Sequence, residues 1–268
     1  MNTYIVFDIG GTNMRVARAT DDSLEEISKV PTPQDPKEGM EQFVSLVSTI
    51  AGGKEIAAIA GCMPGELENG AIKDMPNIPR WVGLKPAEVL AHAFGSPVTI
   101  VNDAGCVGLG EYRFGAGQGA SIMMYMTVST GVGGARITDG AIDRSAIGFH
   151  PGKQILNGET LENQISGKAI QKKFGIHPKD LESIDERNAL ADVLAVGLFN
   201  SSIHWSPDTI VVGGSMIVGQ NPIPLDRVRD DLTRRIQAFA RVPKLVMASL
   251  KDDGGLQGAR HLAMQMAR

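Results

Sequence analysis

Two short segments of the sequence combine adjacent glycines with hydroxyl side chains directly after an apolar run. Residues 8–15 read Asp-Ile-Gly-Gly-Thr-Asn-Met-Arg, and residues 127–134 read Thr-Val-Ser-Thr-Gly-Val-Gly-Gly. Backbone N–H groups in a glycine turn can reach a phosphate because no Cβ blocks the approach. Asp8, at the carboxyl end of its strand, is placed to hold a phosphate-bound Mg²⁺ through water. The first segment taken alone is equally compatible with a plain hairpin turn.

A third glycine turn, Gly213-Gly214-Ser215, follows the apolar run 210–212 and opens toward a helix. One glycine turn is weak evidence of a site, because short glycine motifs also occur by chance. Three such turns at the ends of strands favour a site for a phosphorylated ligand over three unrelated turns.

The elements that must position these turns follow from hydrophobic periodicity and from glycine and proline punctuation. In the first half we expect strands at 4–7, 14–19, 56–60 and 98–101, and helices at 36–51 and 86–94. In the second half we expect strands at 121–128, 133–138, 209–212 and 244–248, and helices at 158–174, 185–205, 225–240 and 255–266.

Both halves open with a strand, a glycine turn and a second strand, which predicts an internally duplicated α/β protein with a cleft between two lobes. We place a small N-terminal lobe at 1–111 and a large C-terminal lobe at 112–253. The C-terminal helix, 254–268, is expected to join the first lobe.

Composition excludes several classes of protein. The 268 residues carry a formal net charge of -4, which argues against a partner that is nucleic acid or an anionic membrane. Only two cysteines occur, too few for a disulfide scaffold or a four-cysteine metal site. No apolar run approaches the length of a membrane span, and the first residues lack a basic n-region, so a cytoplasmic location is the expectation.

The order of the three turns resembles the ROK family of sugar kinases, within the larger superfamily of actin, hexokinase and heat-shock-type ATPases. The resemblance extends to residues 254–259, Gly-Gly-Leu-Gln-Gly-Ala, and so covers nearly the whole chain. It implies a two-lobed actin-like (ribonuclease H-like) α/β fold that uses ATP and Mg²⁺. In that family the first two turns embrace the ATP phosphates and the third packs against adenosine. The nucleotide-binding residues implied are Asp8, Gly10, Gly11, Thr12, Asn13, Arg15, Thr130, Gly131, Gly133 and Gly214.

The reacting centre is implied at Asn102-Asp103, which follows an apolar strand and leads into a helix. In an arbitrary sequence Asn-Asp is usually a turn. By the family resemblance Asp103 accepts the proton of the sugar hydroxyl and Asn102 binds the sugar. Burial between closing lobes would raise the pKa of such a carboxyl toward working pH. The segments that hold Gly65 and Asn77 resemble family segments that touch the hexose.

The sequence departs from the family at a Glu-x-Gly-His segment. Aligned on Gly148, the usual glutamate becomes Ala146 and the usual histidine becomes Phe149. His150 lies one place late, so it either reaches the sugar through a shifted loop or is an ordinary loop histidine. The contacts to part of the sugar ring are therefore expected to differ from those of relatives.

The zinc motif that most bacterial relatives carry next is also missing. Residues 153–162 contain no cysteine, so a tetrahedral structural zinc site cannot form there. Glu162 then matches the family's second sugar-binding glutamate. The alternative for Glu162 is a solvated carboxylate in the first turn of a helix, where negative charge is favourable in any case.

The leading hypothesis is a Mg²⁺-dependent kinase that transfers the γ-phosphoryl group of ATP to a hexose hydroxyl. Glucose is the default acceptor, with mannose, fructose and N-acetylhexosamines as alternatives, and polyphosphate is left open as a donor. A sugar- or nucleotide-binding protein with lost or altered catalysis is the second hypothesis. A sugar-responsive repressor is disfavoured, because a DNA-binding module would precede the first turn and Asp8 lies seven residues from the start. The resemblance also implies a homodimer.

Overall fold

The chain folds into two compact units, each with a five-stranded sheet of its own. The computed structural model describes residues 2–68, 70–75, 77–237, 239 and 241–267. Met1–Gly110 and Asp252–Arg268 form the first unit, and Glu111–Lys251 form the second. Among the helices of the described residues, none has both the length and the hydropathy that a bilayer span requires.

The strands, in chain order, are β1 (Tyr4–Ile9), β2 (Asn13–Ala19), β3 (Leu24–Pro31), β4 (Ala58–Met63), β5 (Glu66–Glu68), β6 (Ala71–Asp74), β7 (Val98–Asn102), β8 (Ile122–Val128), β9 (Val132–Thr138), β10 (Ala141–Ile142), β11 (Ile155–Leu156), β12 (Glu159–Thr160), β13 (Thr209–Gly213) and β14 (Lys244–Met247). The α-helices are α1 (Pro36–Ala51), α2 (Pro86–Phe94), α3 (Asp103–Phe114), α4 (Leu161–Ile165), α5 (Gly167–Phe174), α6 (Ile184–Trp205), α7 (Ser215–Val218), α8 (Leu225–Ile236) and α9 (Gly254–Met266). Short 3₁₀ turns lie at Pro79–Trp81, Pro151–Lys153, Pro178–Asp180 and Lys251–Asp253.

Both sheets have the same strand order and the same pattern of directions. The first is β3-β2-β1-β4-β7 and the second is β10-β9-β8-β13-β14. In each, the first three strands along the chain pair antiparallel, and the two later strands add in parallel. The duplicated order expected from the sequence is therefore present. Parallel pairing also brings the carboxyl ends of β1, β4 and β7 to one edge of the first sheet.

Helix α1 shows how local sequence sets an element. Asp35 caps its start by accepting hydrogen bonds from the backbone N–H groups of Lys37 and Glu38, and Pro36 occupies the first turn. Gly52 ends the helix in a left-handed conformation with φ 58°. Apolar residues at helical spacing form the buried face against β2. The observed bounds equal the predicted ones.

Burial on both faces of the first sheet explains the apolar strands. On β1, Ile5 and Phe7 enter a core with α1 and α2, whereas Tyr4 and Val6 enter a core with α9. The second core contains Leu256, Ala259 and Ala263 from α9. In the second unit, a core is built mainly from β8, β13, α6 and α8.

Several elements differ from expectation. The predicted strand at 56–60 is β4, Ala58–Met63, and the antiparallel strand β3 was not predicted, because its exposed, charged residues lack an apolar run. The predicted helix 158–174 is divided into β12, α4 and α5. Ser166 causes the break: its backbone is extended, its hydroxyl caps α5, and the next amide, Gly167 N–H, bonds to Ser129 O at 2.7 Å. The predicted helix 225–240 ends earlier, at Ile236, and residues 238 and 240 lie outside the described residues.

Candidate active site

The first glycine turn closes the β1–β2 hairpin. Gly10 N–H donates to Asn13 O at 2.8 Å, and the Thr32 hydroxyl donates to Gly10 O at 2.8 Å. A Cβ on Gly11 would lie 2.5 Å from Cβ of Asn77, so a side chain at this position would displace that residue. Thr12 is exposed at the tip of the turn. The hairpin therefore presents the predicted phosphate-binding residues and places Asn77 against them.

Asp8 faces Arg15 across the same hairpin. The two residues are paired in register, and Arg15 Nη2 lies 2.5 Å from Asp8 Oδ2. The guanidinium also lies 3.9 Å from a carboxylate oxygen of Asp253. A Cβ on Gly255 would come within 3.0 Å of Asp8 Oδ2, so α9 leaves room for that carboxylate by presenting glycine. Arg15 thus neutralises Asp8 here, and its contact with a phosphate stays a prediction.

Asp103 begins α3 directly after β7, at the sheet edge that also carries Asp8. In the parallel pairing, Asp8 is level with Cys62, and the next residue of that strand, Met63, is level with Asn102. Desolvation and, to a smaller extent, the negative charge of Asp8 raise the pKa of Asp103 from 3.8 to about 6, although a 2.8 Å hydrogen bond from Ala104 N–H to its carboxylate acts in the opposite direction. A carboxylate with that pKa is mostly ionised at neutral pH and is basic enough to accept a proton.

Asn102 joins two parts of the predicted sugar site. Its Nδ2 donates to Gly65 O at 3.0 Å, and its Oδ1 accepts from Ala104 N–H at 3.0 Å. Gly65 has φ 91°, and a Cβ there would lie 1.9 Å from the carbonyl oxygen of Asp74. The glycine is thus required by the backbone itself. Gly65, Asn102 and Asp103 lie together, and their contacts with a sugar stay predictions.

The second glycine turn lies between β8 and β9 of the second unit, and backbone N–H groups at the start of α5 hydrogen-bond to it. Ser129 N–H donates to Gly131 O at 2.8 Å, and Lys168 N–H donates to Thr130 O at 3.3 Å. Thr130 and Gly131 lie in the turn, whereas Gly133 lies within β9, paired with Thr127. Two backbone hydrogen bonds from the start of α5, those of residues 167 and 168, therefore fix this turn.

Glu162 also contacts that turn. Its Oε2 accepts from Val132 N–H at 2.8 Å and its Oε1 pairs with Lys153 Nζ at 2.9 Å. Burial alone would raise the pKa of Glu162, but the hydrogen bonds from Val132 and Lys153 prevail and lower it. A Cβ on Gly131 would lie 2.7 Å from Oε2. Glu162 is therefore an ionised, half-buried group in the second unit, whereas the other predicted sugar-binding residues belong to the first unit.

The third turn meets the second. Gly214 has φ 88°, and a Cβ there would lie 2.4 Å from Val128 O. The hydroxyl oxygens of Ser129 and Ser215 are 3.3 Å apart. The chain reversal at Gly214 thus requires glycine, and it brings the predicted adenosine-binding segment beside the predicted phosphate-binding segment.

A cavity of about 200 Å³ opens between the second turn, α5 and α7. Its walls include apolar, amide, hydroxyl and basic side chains and, among the described residues that line it, no carboxylate. The lining residues are Thr130, Gly167, Lys168, Gln171, His177, Pro178, Lys179, Ser215, Met216, Gly219 and Gln220. Apart from Thr130, and from Ser215 in the third turn, sequence reasoning did not select them. The signal that was present is Lys168, a cation six residues after the predicted sugar-binding residue Glu162.

The segment that departs from the family has its own packing. Ala146 is exposed, and the Phe149 ring packs edge-on against Trp205 with centroids 4.9 Å apart. His150 is exposed, and its Nε2 lies 2.5 Å from the carbonyl oxygen of Ile147. In the part of the chain that the structure describes, no three His, Cys, Asp or Glu side chains cluster as metal ligands would.

Comparison with known proteins gives one family. A model described as "ROK family" matches residues 4–266. The chain is 25% identical to the glucokinase of Thermotoga maritima, over 94% of each chain. It superposes on the ROK hexokinase of Thermus thermophilus with a TM-score of 0.85 and 26% identity, over 98% of each chain. It also superposes on a ROK family glucokinase of Streptomyces griseus, solved with glucose and AMPPNP, with a TM-score of 0.78 and 24% identity, over 98% of this chain and 100% of that one.

Proposed function

Because this chain belongs to the ROK family and has the two-lobed actin-like fold of its kinases, we propose that it transfers the γ-phosphoryl group of ATP to a hydroxyl of a hexose. Homologues that are sugar kinases support the kinase role. The observation that carries the proposal is Asp103, a carboxyl with pKa about 6 at the sheet edge that also presents Asp8 and the Asn102–Gly65 pair.

The proposed role of Asp103 is that of general base. Phosphoryl transfer to an alcohol needs a positioned nucleophile, neutralised charge and a group that takes the hydroxyl proton. With a pKa of about 6, Asp103 is ionised at neutral pH yet more basic than an exposed aspartate. Asn102, which is held by Ala104 and Gly65, is suited to orient the acceptor through its amide.

The donor side rests on the glycine turns and the cavity. Thr12 and Thr130 offer hydroxyls beside the backbone N–H groups of their turns, a combination that suits a phosphate chain. The cavity beside Thr130 has apolar walls from Pro178 and Met216, against which the flat base of a nucleoside fits. ATP is the donor that these features favour.

Magnesium is proposed to accompany the nucleotide. Mg²⁺ is commonly held by one or two carboxylates together with the phosphates of the substrate, so a larger protein cluster is not required. Asp8 is a carboxylate of that kind at a strand end, and it would hold the ion through water. When bound, Mg²⁺ supplies charge neutralisation on the phosphates of the donor.

The acceptor is proposed to be glucose by default. Gly65, Asn77 and Asn102 of the first unit and Glu162 of the second are the proposed contacts. Because Ala146 and Phe149 replace two usual polar groups, mannose, fructose and N-acetylhexosamines remain in the proposed range.

The enzyme is further proposed to be cytoplasmic and to form a homodimer. Sedimentation analysis would test the oligomeric state.

One assay tests the proposal directly. MgADP release is measured by a coupled assay over a panel of hexoses and N-acetylhexosamines, with a blank that lacks sugar. ADP that depends on one or two of the sugars supports the kinase and names its acceptor. Calorimetry would detect a sugar that binds without being turned over. If neither ATP nor polyphosphate then serves as donor, the result favours the alternative, a ROK protein with lost or altered catalysis.

A further inference from the structure

The cavity of the second unit carries positive charge that the proposed reaction has not used. Lys168 and Lys179 line it beside His177, whose Nδ1 accepts a hydrogen bond from Lys179 N–H, and the described lining contains no acidic side chain. A concave surface with charge of one sign concentrates ligands of the opposite sign. The cavity is therefore suited to an anionic group in addition to a neutral base.

Of these basic residues, Lys168 is tied to the second glycine turn. Its backbone N–H donates to Thr130 O at 3.3 Å, and that of the preceding residue, Gly167, donates to Ser129 O at 2.7 Å. The four-carbon side chain of Lys168 thus starts beside the backbone predicted to bind phosphate. Lys179 belongs to a different wall, where its carbonyl oxygen accepts a hydrogen bond from Asn221 Nδ2.

The ammonium group of Lys168 is uncommitted. Within the described part of the chain it forms no ion pair and no side-chain hydrogen bond, in contrast to Lys153 with Glu162 and Lys173 with Glu186. Its charge contributes to the lowered pKa of Glu162, so it lies within electrostatic range of that carboxylate and the turn beside it. A cation in that state can pair with a ligand without breaking a contact of the protein.

The second turn supplies no cation of its own. Residues 127–134 offer backbone N–H groups and hydroxyls only, and Arg15 of the first turn is paired with Asp8. Phosphoryl transfer places negative charge on the departing phosphate, and positive groups aimed at that charge stabilise the transition state.

We propose that Lys168 binds the phosphate groups of the nucleoside triphosphate and supplies the missing cation at the second turn. This inference rests on the proposed function for its ligand. It assigns to Lys168 direct contact with the donor, not with the sugar and not with the base.

The test compares K168M and K168R with K172M. Lys172 lies on the same helix one turn later, is exposed and does not line the cavity, so K172M removes the same charge without altering the cavity. Affinities for MgATP and MgADP are measured by calorimetry, and affinity for adenosine by ligand-observed NMR. Melting temperatures establish that each variant is folded, and K168R keeps the charge if K168M does not fold.

A charge-assisted hydrogen bond to phosphate predicts a loss of about 10- to 100-fold in MgATP affinity for K168M. Adenosine should bind K168M as it binds the parent protein, K168R should retain most of the MgATP affinity, and K172M should match the parent protein. Sugar-dependent turnover by K168M should fall with MgATP affinity, and the KM for sugar should be unchanged.

Three results would overturn the assignment. K168M could bind MgATP as tightly as the parent protein, K172M could lose as much MgATP affinity as K168M, or K168M could lose affinity for adenosine and MgATP to the same extent. Failure of the proposed function looks different: the parent protein would give no sugar-dependent ADP, yet K168M would still lose MgATP affinity selectively. If the parent protein binds neither MgATP nor MgADP, both the function and the assignment are wrong.

Discussion

Asn102 Nδ2 donates a 3.0 Å hydrogen bond to the carbonyl oxygen of Gly65, which ties the end of β7 to the loop after β4. The other end of the same amide caps α3 at Ala104 N–H. One side chain therefore orients the loop that holds Gly65, a predicted sugar contact, and fixes the start of the helix that carries Asp103.

Two substitutions at Asn102 separate those tasks. Asn102→Asp keeps an acceptor for Ala104 but cannot donate to Gly65, so it should raise the KM for sugar with little change in melting temperature. Asn102→Ala loses both bonds and should also cost about 1 kcal/mol in the free energy of unfolding, the usual cost of a lost N-cap. Equal stability losses in the two variants would contradict this division.

The pH profile should report Asp103. Because the base must be ionised, kcat/KM for sugar should fall as pH drops through about 6, where the Asp103 pKa lies. Asp8→Asn removes a negative charge that raises this pKa, so the midpoint should move to lower pH even though activity falls. Asp253→Asn, at an exposed carboxylate that also faces Arg15, is the control and should leave the midpoint unchanged.

Asp103→Asn should lower turnover and raise the free energy of unfolding at neutral pH. Turnover should fall by about 10²-fold or more with sugar binding retained.

The stability of the same variant should depend on pH, because the pKa of Asp103 is higher in the folded state than in the unfolded chain. As pH rises from 3.8 to about 6, the carboxyl ionises more readily in the unfolded chain, so the parent protein loses stability over that window. At pH above the window Asp103→Asn should be the more stable protein by about 1–3 kcal/mol. The difference should vanish near the lower end of the window. Denaturant titrations at several pH values provide the measurement, and a variant less stable than the parent at neutral pH would count against the desolvated carboxylate.

A side chain at Gly65 should destabilise the protein through a steric clash. Gly83, which has nearly the same φ but no close neighbour, separates that clash from conformational strain. Gly65 and Gly83 have φ of 91° and 92°, and only a Cβ at Gly65 would meet another atom, the Asp74 carbonyl oxygen at 1.9 Å. Gly83→Ala should cost about 1 kcal/mol for conformational strain, and Gly65→Ala should cost at least about 2 kcal/mol more and raise the KM for sugar. Similar unfolding free energies for the two variants would show that the clash relaxes without cost.

Glu162 is expected to link acceptor and donor. Glu162→Gln loses the charge that Val132 N–H and Lys153 stabilise, and Val132 lies at the end of the second turn. The KM values for sugar and for MgATP should therefore both rise, by roughly tenfold for a lost charged hydrogen bond. Glu159→Gln, at an exposed carboxylate of the same segment, should behave as the parent protein in steady-state kinetics.

The sequence predicts the fold best where local rules agree. Helix α1 has a cap, a proline start, an apolar stripe and a terminal glycine, and its bounds were predicted without error. Strand β3 was missed because an exposed edge strand needs no apolar pattern. The break at Ser166 was missed because Gly167 bonds to Ser129, thirty-eight residues away along the chain, and no local signal encodes that partner.

The same limit applies to the site. The glycine turns and Asn102-Asp103 could be predicted, because they lie at the ends of apolar strands. The contact of Gly11 with Asn77, the engagement of Arg15 by Asp8 and the cavity beside Lys168 depend on residues distant in sequence. The residue types along the sequence do not specify which residues distant in sequence will be in contact in the folded protein.

The location of α9 has a consequence for synthesis. Tyr4 and Val6 are synthesised well before Leu256, Ala259 and Ala263, but all five residues share one core. The second unit, in contrast, is built from one uninterrupted stretch, Glu111–Lys251. During translation the second unit can therefore complete its core before α9 is made, and the sheet of the first unit keeps one apolar face uncovered until α9 has been synthesised.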